Sequence, residues 1–250
     1  MDRLREAWRY LLIAISFLTC LPVPAYRYQS GDLARAAFFF PLVGAFIGGV
    51  NYGTFRLLRW AGASSYLTAL TVVTMGLVLT RGLHLDGWAD ICDGLFTTKE
   101  AEKRREILKD SRLGTFGVVG IVLLLGFKMV AVGETLTPWI LIVAPVAGRT
   151  ASLIIGSFFY PFTREKRGLG EEFLGRVPGR YVWFWLGVVL ILPSWRWGTL
   201  FFPQAVAGFI IGWLFGKMLE RSFRGLNGDA VGATIETVET LFLFMGGGQR

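Results

Sequence analysis

The stretch FGVVGIVLLLGFKMVAVG, residues 116–133, decides the class of fold because it is almost wholly apolar over its length. A helix of roughly 20 apolar residues crosses the hydrocarbon core of a bilayer. The whole chain of 250 residues is 53% hydrophobic and has a mean hydropathy of +0.51. A soluble protein needs a polar surface, and the short polar segments between the apolar runs are too few to form one. We therefore expect a polytopic integral membrane protein.

Further apolar runs outline the rest of the architecture. They fall at about 11–24, 36–55, 65–80, 116–133, 138–160, 181–193, 199–219 and 231–246. This pattern predicts an all-α helical bundle with about seven membrane spans, which forms one domain over residues 1–250. The first run ends at Pro22 and Pro24 after about 14 residues, which favours a re-entrant or interfacial N-terminal segment. No small-residue cleavage site follows it, so we expect this segment to be retained.

Charged residues between the runs predict the orientation of the chain. The connections 97–112 and 161–180 are strongly basic, whereas 134–137 and 194–198 contain only Arg196 as a basic residue. Basic loops stay on the cytoplasmic side of a membrane. The two basic connections and the N-terminus are therefore predicted to be cytoplasmic and the other two connections to face outward. These assignments to the two sides of the membrane are consistent with the number of crossings if the first run does not cross the membrane.

The net charge of +8 does not indicate binding to nucleic acid. The basic residues cluster in the connections, where the orientation rule explains most of them and a polyanionic substrate explains the rest. Cys20 and Cys92 have no spacing typical of a metal site, so both are predicted to be free thiols. No feature of the sequence specifies an oligomeric state.

The motif HLDGWADICDG, residues 84–94, carries three aspartates, Asp86, Asp90 and Asp93. On a helix the spacing i, i+4, i+7 places all three on one face. Such carboxylates repel one another unless a cation neutralises them, and oxygen ligands favour Mg²⁺, Mn²⁺ or Ca²⁺. A divalent cation beside basic loops suits a phosphate or diphosphate substrate. The alternative is a solvated acidic helix end that pairs with basic residues of the next loop.

Next to this motif stands His84, the only histidine of the chain. Two interpretations are open for it, a polar side chain at the membrane interface and an acid–base or phosphate-contacting group. In the stretch KDSRLGTFG, residues 109–117, Lys109 and Arg112 can hold phosphate oxygens and Asp110 can add a ligand. The same stretch also suits a plain loop that starts the next helix.

A second acidic region, RGLNGDAVGATIETVE, occupies residues 224–239. Asp229 opens the last apolar run, and Glu236 and Glu239 lie within it, where glutamates usually face a polar cavity. We expect Asp229, and more weakly Glu239, to lie across a cytoplasm-facing cavity from the three aspartates, with aromatics such as Trp88 available for stacking. The alternative is that Asp229 only stabilises the start of its helix.

These motifs together resemble one family. The stretches GLHLDGWADICDG and EILKDSRLGTFG, with FLTCLPVP near the N-terminus and NGDAVGA near the C-terminus, are similar to the cobalamin synthases, also called adenosylcobinamide-GDP ribazoletransferases. The resemblance covers about residues 16–240. Asn227 stands where this family has threonine in a Thr-Gly-Asp triplet, and Cys20 stands where a basic residue is common.

The resemblance implies a multi-pass enzyme of the cell inner membrane in the last steps of cobalamin biosynthesis, with its active site facing the cytoplasm. Such an enzyme joins adenosylcobinamide-GDP to α-ribazole or its 5′-phosphate, releases GMP and requires Mg²⁺. Asp86, Asp90 and Asp93 match the acidic motif, as metal ligands and catalytic residues. The other matched positions are Lys109, Asp110, Ser111, Arg112, Gly228 and Glu239 for substrate binding, with His84 and Asp229 as further catalytic candidates.

Two other functions share parts of this pattern. A CDP-alcohol phosphotransferase also uses aspartates and Mg²⁺ at a membrane, but its motif begins Asp-Gly-x-x-Ala-Arg, whereas Asp90 follows Ala89 here. A cation transporter could use the three aspartates as an ion site within the membrane. The neighbouring basic loop favours an anionic substrate over a permeating cation.

Overall fold

A computed structural model describes residues 2–110, 112–162, 168–197 and 200–247. These residues are helical, apart from turns, irregular connections and one isolated bridge between Pro161 and Leu226. The all-α class predicted from the apolar runs is therefore confirmed.

The helices follow the predicted apolar runs closely and add short helices between them. Their bounds are α1 Asp2–Leu18, α2 Asp32–Ala36, α3 Phe40–Trp60, α4 Ser65–Thr80, α5 Leu83–Thr97, α6 Ala101–Ile107, α7 Thr115–Gly133, α8 Ile140–Phe158, α9 Leu169–Phe173, α10 Gly179–Trp197, α11 Phe201–Phe223 and α12 Gly228–Met245. A 3₁₀ turn, Ala37–Phe39, joins α2 to α3. The acidic motif thus forms a helix of its own, α5.

Four helical segments are long and apolar enough to cross a membrane, namely Asp32–Trp60, α7, α8 and α11. The number rises to five if α4 and α5 together form one broken span. This supports the predicted multi-pass membrane protein. Within the described residues, α1 is not among these candidates, and α10 offers only a shorter apolar helix, Gly179–Ser194. The total of about seven spans, with α10 and α12 included, stays a prediction.

Helix α8 forms the centre of the bundle. About 83% of its most apolar 18-residue stretch is buried, compared with 33% of the corresponding stretch in α7 and in α11. It packs against α3, α10, α11 and α12. Along α7, by contrast, Val122, Leu123 and Phe127 are exposed. Apolar side chains exposed along an apolar helix are expected to contact lipid, so α7 and α11 lie at the lipid-facing side of the bundle.

Glycines allow α3 to approach the backbone of α8. A Cβ atom added to Gly44 would lie 2.6 Å from the Pro145 carbonyl oxygen, and one added to Gly48 would lie 2.6 Å from the Ile142 Cα. Membrane helices gain little from apolar burial against lipid, so their association relies on such close packing. The two glycines therefore fix the position of α3 on the central helix.

The N-terminal segment is helical over a longer range than its apolar run. Helix α1 includes the charged residues before the run and ends at Leu18, ahead of Pro22. The backbone N–H of Cys20 then donates to the Leu79 carbonyl at 2.7 Å, which holds the segment against the end of α4. Cys20 is exposed and Cys92 is buried, and both are free thiols as predicted.

A sharp turn separates α4 from the acidic helix. The two helix axes form an angle of 93°. Arg81 and Gly82 both adopt left-handed backbone conformations, with φ of 54° and 67°. This conformation is uncommon for a residue other than glycine, and here it ends α4 and redirects the chain. As a result, α5 is free to pack across α7 and α12.

Candidate active site

The three aspartates of α5 differ in their surroundings. Asp86 is exposed, Asp90 is half-buried and Asp93 is buried, with 5% of its surface exposed. The negative charges of Asp229, Asp86 and Asp93 all act on Asp90. The helical spacing predicted from the motif is therefore present, but only the first two carboxylates face open space.

Asp93 holds the beginning of another helix. Its two carboxylate oxygens accept hydrogen bonds from the backbone N–H groups of Gly114 and Gly117, each at 2.8 Å. Gly114 is the N-cap of α7 and Gly117 lies in its first turn, where backbone donors have no partner within the helix. A Cβ atom on either glycine would collide with the Asp93 carboxylate. Asp93 therefore joins the acidic motif to the KDSRLGTFG motif.

This arrangement changes the interpretation of the predicted metal triplet. Within the described part of the chain, no three His, Cys, Asp or Glu side chains are grouped so that they could hold a metal. Both Asp93 oxygens accept backbone hydrogen bonds. Asp93 thus differs from Asp86 and Asp90 in its partners, and the ligand role of the three aspartates stays a prediction.

The basic residues of 97–112 do not neutralise the aspartates. Lys103 pairs with Glu100 at 2.9 Å. Arg104 and Arg105 donate to the carbonyl oxygens of Ser222 and Phe223 at the end of α11. Among the described residues, no basic side chain forms an ion pair with Asp86, Asp90 or Asp93. The alternative of a solvated acidic helix end paired with the next loop is therefore wrong.

The KDSR stretch lies in the connection that precedes α7. Arg112 donates to both carboxylate oxygens of Asp110, with a shortest distance of 2.6 Å. This hydrogen bonding lowers the pKa of Asp110 to about 2. Lys109 and Arg112 are exposed, whereas Ser111 lies outside the described residues. The two basic side chains are accessible to an anionic ligand, and Asp110 is engaged by Arg112.

The start of α12 shows that Asp229 is not the capping residue. Asn227 is the N-cap, and its side-chain oxygen accepts from the Ala230 backbone N–H at 3.1 Å. The amide nitrogen of Asn227 donates to Asp229 at 2.5 Å. The residue that departs from the family triplet therefore orients the following aspartate. Asp229 lies in the first turn of α12, where a negative charge stabilises a helix, so both interpretations of Asp229 stay predictions.

Helices α5 and α12 meet at Gly87 and Asp229. A Cβ atom added to Gly87 would lie 2.8 Å from the Asp229 Cα, so the two backbones are in direct contact. Asp229 is half-buried and acts electrostatically on Asp90. Two acidic motifs that are about 140 residues apart in sequence thus lie side by side.

A cavity of about 200 Å³ opens between these helices. His84, Asp86, Gly228 and Asp229 border it from α5 and α12. The opposite wall is aromatic, with Phe17, Phe40 and Phe173 among its lining residues. Phe40 stacks on Phe17 and on Phe173, with ring centroids 5.8 and 5.7 Å apart. The site therefore combines a carboxylate rim with an apolar pocket that suits a planar ring.

Trp88 does not take part in this pocket, which corrects the expectation from the sequence. Its indole N–H donates to the Gly120 carbonyl at 3.0 Å, and its ring packs against Phe215. On a helix, Trp88 points away from the face shared by Asp86 and Asp90. It lines a separate apolar groove of about 720 Å³ between α5, α7, α11 and α12.

Behind the acidic cavity lies a buried cluster of charged residues. Lys128 of α7 pairs with Glu236 at 2.5 Å and with Glu239 at 3.1 Å. Arg149 of α8 also pairs with Glu239. Two cations thus balance two carboxylates, as buried charges require. The cluster borders a second cavity of about 40 Å³.

This cluster places two predicted site residues differently from expectation. Glu239 faces the 40 Å³ cavity and its two cationic partners, not the cavity of Asp86 and Asp229. His84 borders both cavities and is buried, with 4% exposure, so its interpretation as an interfacial side chain is wrong. The inference from sequence missed Lys128 and Arg149, although each is a charged residue within an apolar run, which itself signals function.

Comparisons with known proteins identify the family of this chain. A family model described as cobalamin-5-phosphate synthase matches residues 10–246. A curated protein of Escherichia coli (strain K12 / DH10B), named adenosylcobinamide-GDP ribazoletransferase, is 34% identical over 244 residues, which cover 92% of this chain and 95% of that protein. No solved structure matches the chain. With a match over nearly its whole length, the chain belongs to the cobalamin-5-phosphate synthase family.

Proposed function

We propose that this transferase joins adenosylcobinamide-GDP to α-ribazole or its 5′-phosphate. A ribose hydroxyl of the acceptor attacks the phosphorus that carries the cobinamide. The new P–O bond forms as the bond to GMP breaks, and the hydroxyl proton passes to a base. The products are adenosylcobalamin, or its 5′-phosphate, and GMP. The named relative supports this reaction, since its name describes the same transfer.

The observation that carries the proposal is the meeting of Asp86 and Asp229 at one cavity with an aromatic wall. A transfer between two substrates requires a charged region for the diphosphate and a separate pocket for the acceptor. Phe17, Phe40 and Phe173 provide apolar ring surfaces for the benzimidazole of α-ribazole. Asp86 and Asp229 lie at the boundary between this pocket and the acidic face, where the reacting hydroxyl belongs.

The donor chemistry of the acidic face fits Mg²⁺. Asp86 and Asp90 offer carboxylate oxygens on successive turns and, among the described residues, have no cationic partner. These two residues would hold the ion together with water and phosphate oxygens of the substrate, whereas Asp93 would keep its place at the start of α7. Bound there, Mg²⁺ would neutralise diphosphate charge and favour departure of the GMP phosphate.

The remaining residues divide between binding and orientation. Lys109 and Arg112 are exposed beside the start of α7 and can pair with phosphate oxygens of the nucleotide. Gly228 borders the cavity without a side chain and leaves room for the acceptor. Either Asp86 or Asp229 would accept the hydroxyl proton. We further propose the inner membrane as the location, with the site open to the cytoplasm, where a water-soluble acceptor can reach it.

Membership of the family decides against the two competing functions. The chain matches the cobalamin-5-phosphate synthase model over residues 10–246, and neither a CDP-alcohol phosphotransferase nor a cation transporter accounts for that match. The exposed cations beside the acidic face also favour an anionic substrate over a permeating cation.

Activity of the purified protein in detergent tests the proposal. Adenosylcobinamide-GDP would be supplied with α-ribazole or its 5′-phosphate, with Mg²⁺ or with excess chelator, and GMP and corrinoid products would be separated chromatographically. We expect equimolar GMP and joined corrinoid only when an acceptor and Mg²⁺ are present. Absence of product with both acceptors would contradict the proposed reaction, and full activity in chelator would contradict the metal.

Acid-to-amide variants locate the site within the same assay. Asp86→Asn and Asp90→Asn should each lower kcat/KM by at least about tenfold, because each removes charge required at the diphosphate. The matched control is Glu100→Gln, which alters an exposed carboxylate paired only with Lys103. This control should retain wild-type kinetics. Near-normal activity in both aspartate variants would place the site elsewhere.

A further inference from the structure

The only histidine of the chain connects the two cavities. His84 occupies the first turn of α5 and is 4% exposed. It borders the 40 Å³ cavity of the charged cluster and the 200 Å³ cavity of Asp86 and Asp229. A buried imidazole in this position can act as a hydrogen-bond donor or as a proton acceptor, depending on which ring nitrogen carries the proton.

Arg149 determines which nitrogen that is. Its Nη2 lies 3.5 Å from the Nδ1 of His84, while its Nη1 donates to Glu239. A guanidinium has only N–H donors and stays charged in proteins. A proton on Nδ1 would therefore face another N–H and a fixed positive charge. This conflict persists even though 3.5 Å is long for a hydrogen bond, because charge repulsion does not need ideal geometry. Nδ1 must present its lone pair to Arg149.

A buried ion pair with Glu239 holds Arg149 in place. It is 2% exposed at the centre of α8. Glu239 holds one end of its guanidinium and is itself shared with Lys128, which also pairs with Glu236. Because the guanidinium that faces Nδ1 has no acceptor atom, a proton on Nδ1 would have no partner there. The proton of the neutral ring therefore resides on Nε2.

The two nitrogens of an imidazole point to opposite sides of the ring. With Nδ1 turned to Arg149 and the second cavity, Nε2–H is directed away from the cluster. His84 also lines the 200 Å³ cavity of Asp86 and Asp229. We propose that Arg149, held by Glu239, fixes His84 as the Nε2–H tautomer, which donates a hydrogen bond to a phosphate oxygen of the transferring group.

This assignment deepens the proposed function and rests on it for the identity of the ligand oxygen. It excludes His84 as the base and leaves the hydroxyl proton to Asp86 or Asp229. Arg149 and Glu239 become positioning residues, since they act through the imidazole. A donor fixed before the reaction stabilises charge that develops on phosphate oxygens without reorganisation at the moment of transfer.

The tautomer can be measured without any activity. Because the chain has one histidine, protein labelled with ¹⁵N-histidine and purified through a tag without histidine gives a single pair of ring nitrogens. We expect a protonated Nε2 and an unprotonated Nδ1 near neutral pH. A protonated Nδ1, in the neutral or the cationic ring, would overturn the assignment. Because this spectrum needs no substrate, it remains decisive even if the proposed reaction fails.

Two arginine variants test the cause. Arg149→Lys keeps a buried charge but loses the fork that reaches both Glu239 and His84, so we expect a mixture of the two tautomers. The control is Arg56→Met, which alters an exposed side chain that contacts Tyr52, and it should leave the ring signals unchanged. An unchanged spectrum in Arg149→Lys would remove Arg149 as the determinant.

Kinetics of His84 variants test the role. Glutamine can accept from Arg149 through its oxygen and donate from its nitrogen, so His84→Gln should keep kcat within about threefold of wild type. His84→Ala should lose at least about tenfold in kcat, with a smaller change in KM. A general base would instead be lost equally in both variants, by about 10²–10⁴-fold. Equal losses would therefore contradict the donor role.

Discussion

Replacing Asp93 with asparagine should destabilise the protein, in contrast to the same change at Asp86. The Asp93 carboxylate accepts from the Gly114 and Gly117 backbone N–H groups at 2.8 Å each, within a buried site. Hydrogen bonds to a charged group contribute about 1.5–3 kcal/mol each. Asparagine can accept through one oxygen only, and its NH₂ group would face the second backbone N–H. We therefore expect a loss of about 2–3 kcal/mol.

Thermal unfolding in detergent, followed by intrinsic tryptophan fluorescence, measures this effect. In a chain of this size, 1 kcal/mol corresponds to about 2–4 °C, so Asp93→Asn should lower Tm by roughly 4–12 °C. Asp86 is exposed and forms no ion pair among the described residues, so Asp86→Asn should change Tm by only about 1 °C or less. Both variants should lose activity, but for different reasons.

The comparison distinguishes a metal ligand from a structural anchor. If Asp93 acted mainly as one of three repelling carboxylates around a metal, its neutralisation in metal-free protein would relieve repulsion and leave Tm unchanged or raised. A wild-type Tm for Asp93→Asn in the presence of chelator would therefore refute the capping role that we assign to this residue.

Three further predictions concern packing, charge and orientation. Gly87→Ala should reduce activity by at least about tenfold because its Cβ would force α5 and α12 apart, whereas Gly126→Ala, with open space at the added Cβ, should be neutral in the same assay. Arg112 lowers the pKa of Asp110 to about 2, so the ion pair should stabilise its loop at neutral pH, persist at pH 4 and be lost only as the pH falls through about 2, which carboxyl ¹³C shifts can follow. Leu136→Cys in a cysteine-free background should react with an impermeant maleimide only from the outer side, and labelling from the cytoplasm would reverse the predicted topology.

The sequence alone determined the helices and the residues that mark the site. The run 65–80 coincides with α4 and the run 116–133 lies within α7, because length and apolarity are local properties that the bilayer selects. The placement of Asp86 and Asp90 on one face was also predictable, since helical periodicity depends only on spacing. The resemblance of the motifs to one family could also be recognised from the sequence, because it depends on short segments of the chain.

Only the tertiary structure decided the partners of these residues. Spacing shows the direction in which a side chain leaves its own helix, but not what lies opposite. Asp93 meets the backbone of α7, Gly87 admits the backbone of α12, and Glu239 meets Lys128 and Arg149. Each of these contacts joins helices that are distant in the chain, and each arises from how the helices cross. Charge and helical periodicity are properties of short stretches of sequence, whereas the pairing of buried charges depends on the packing of the whole bundle.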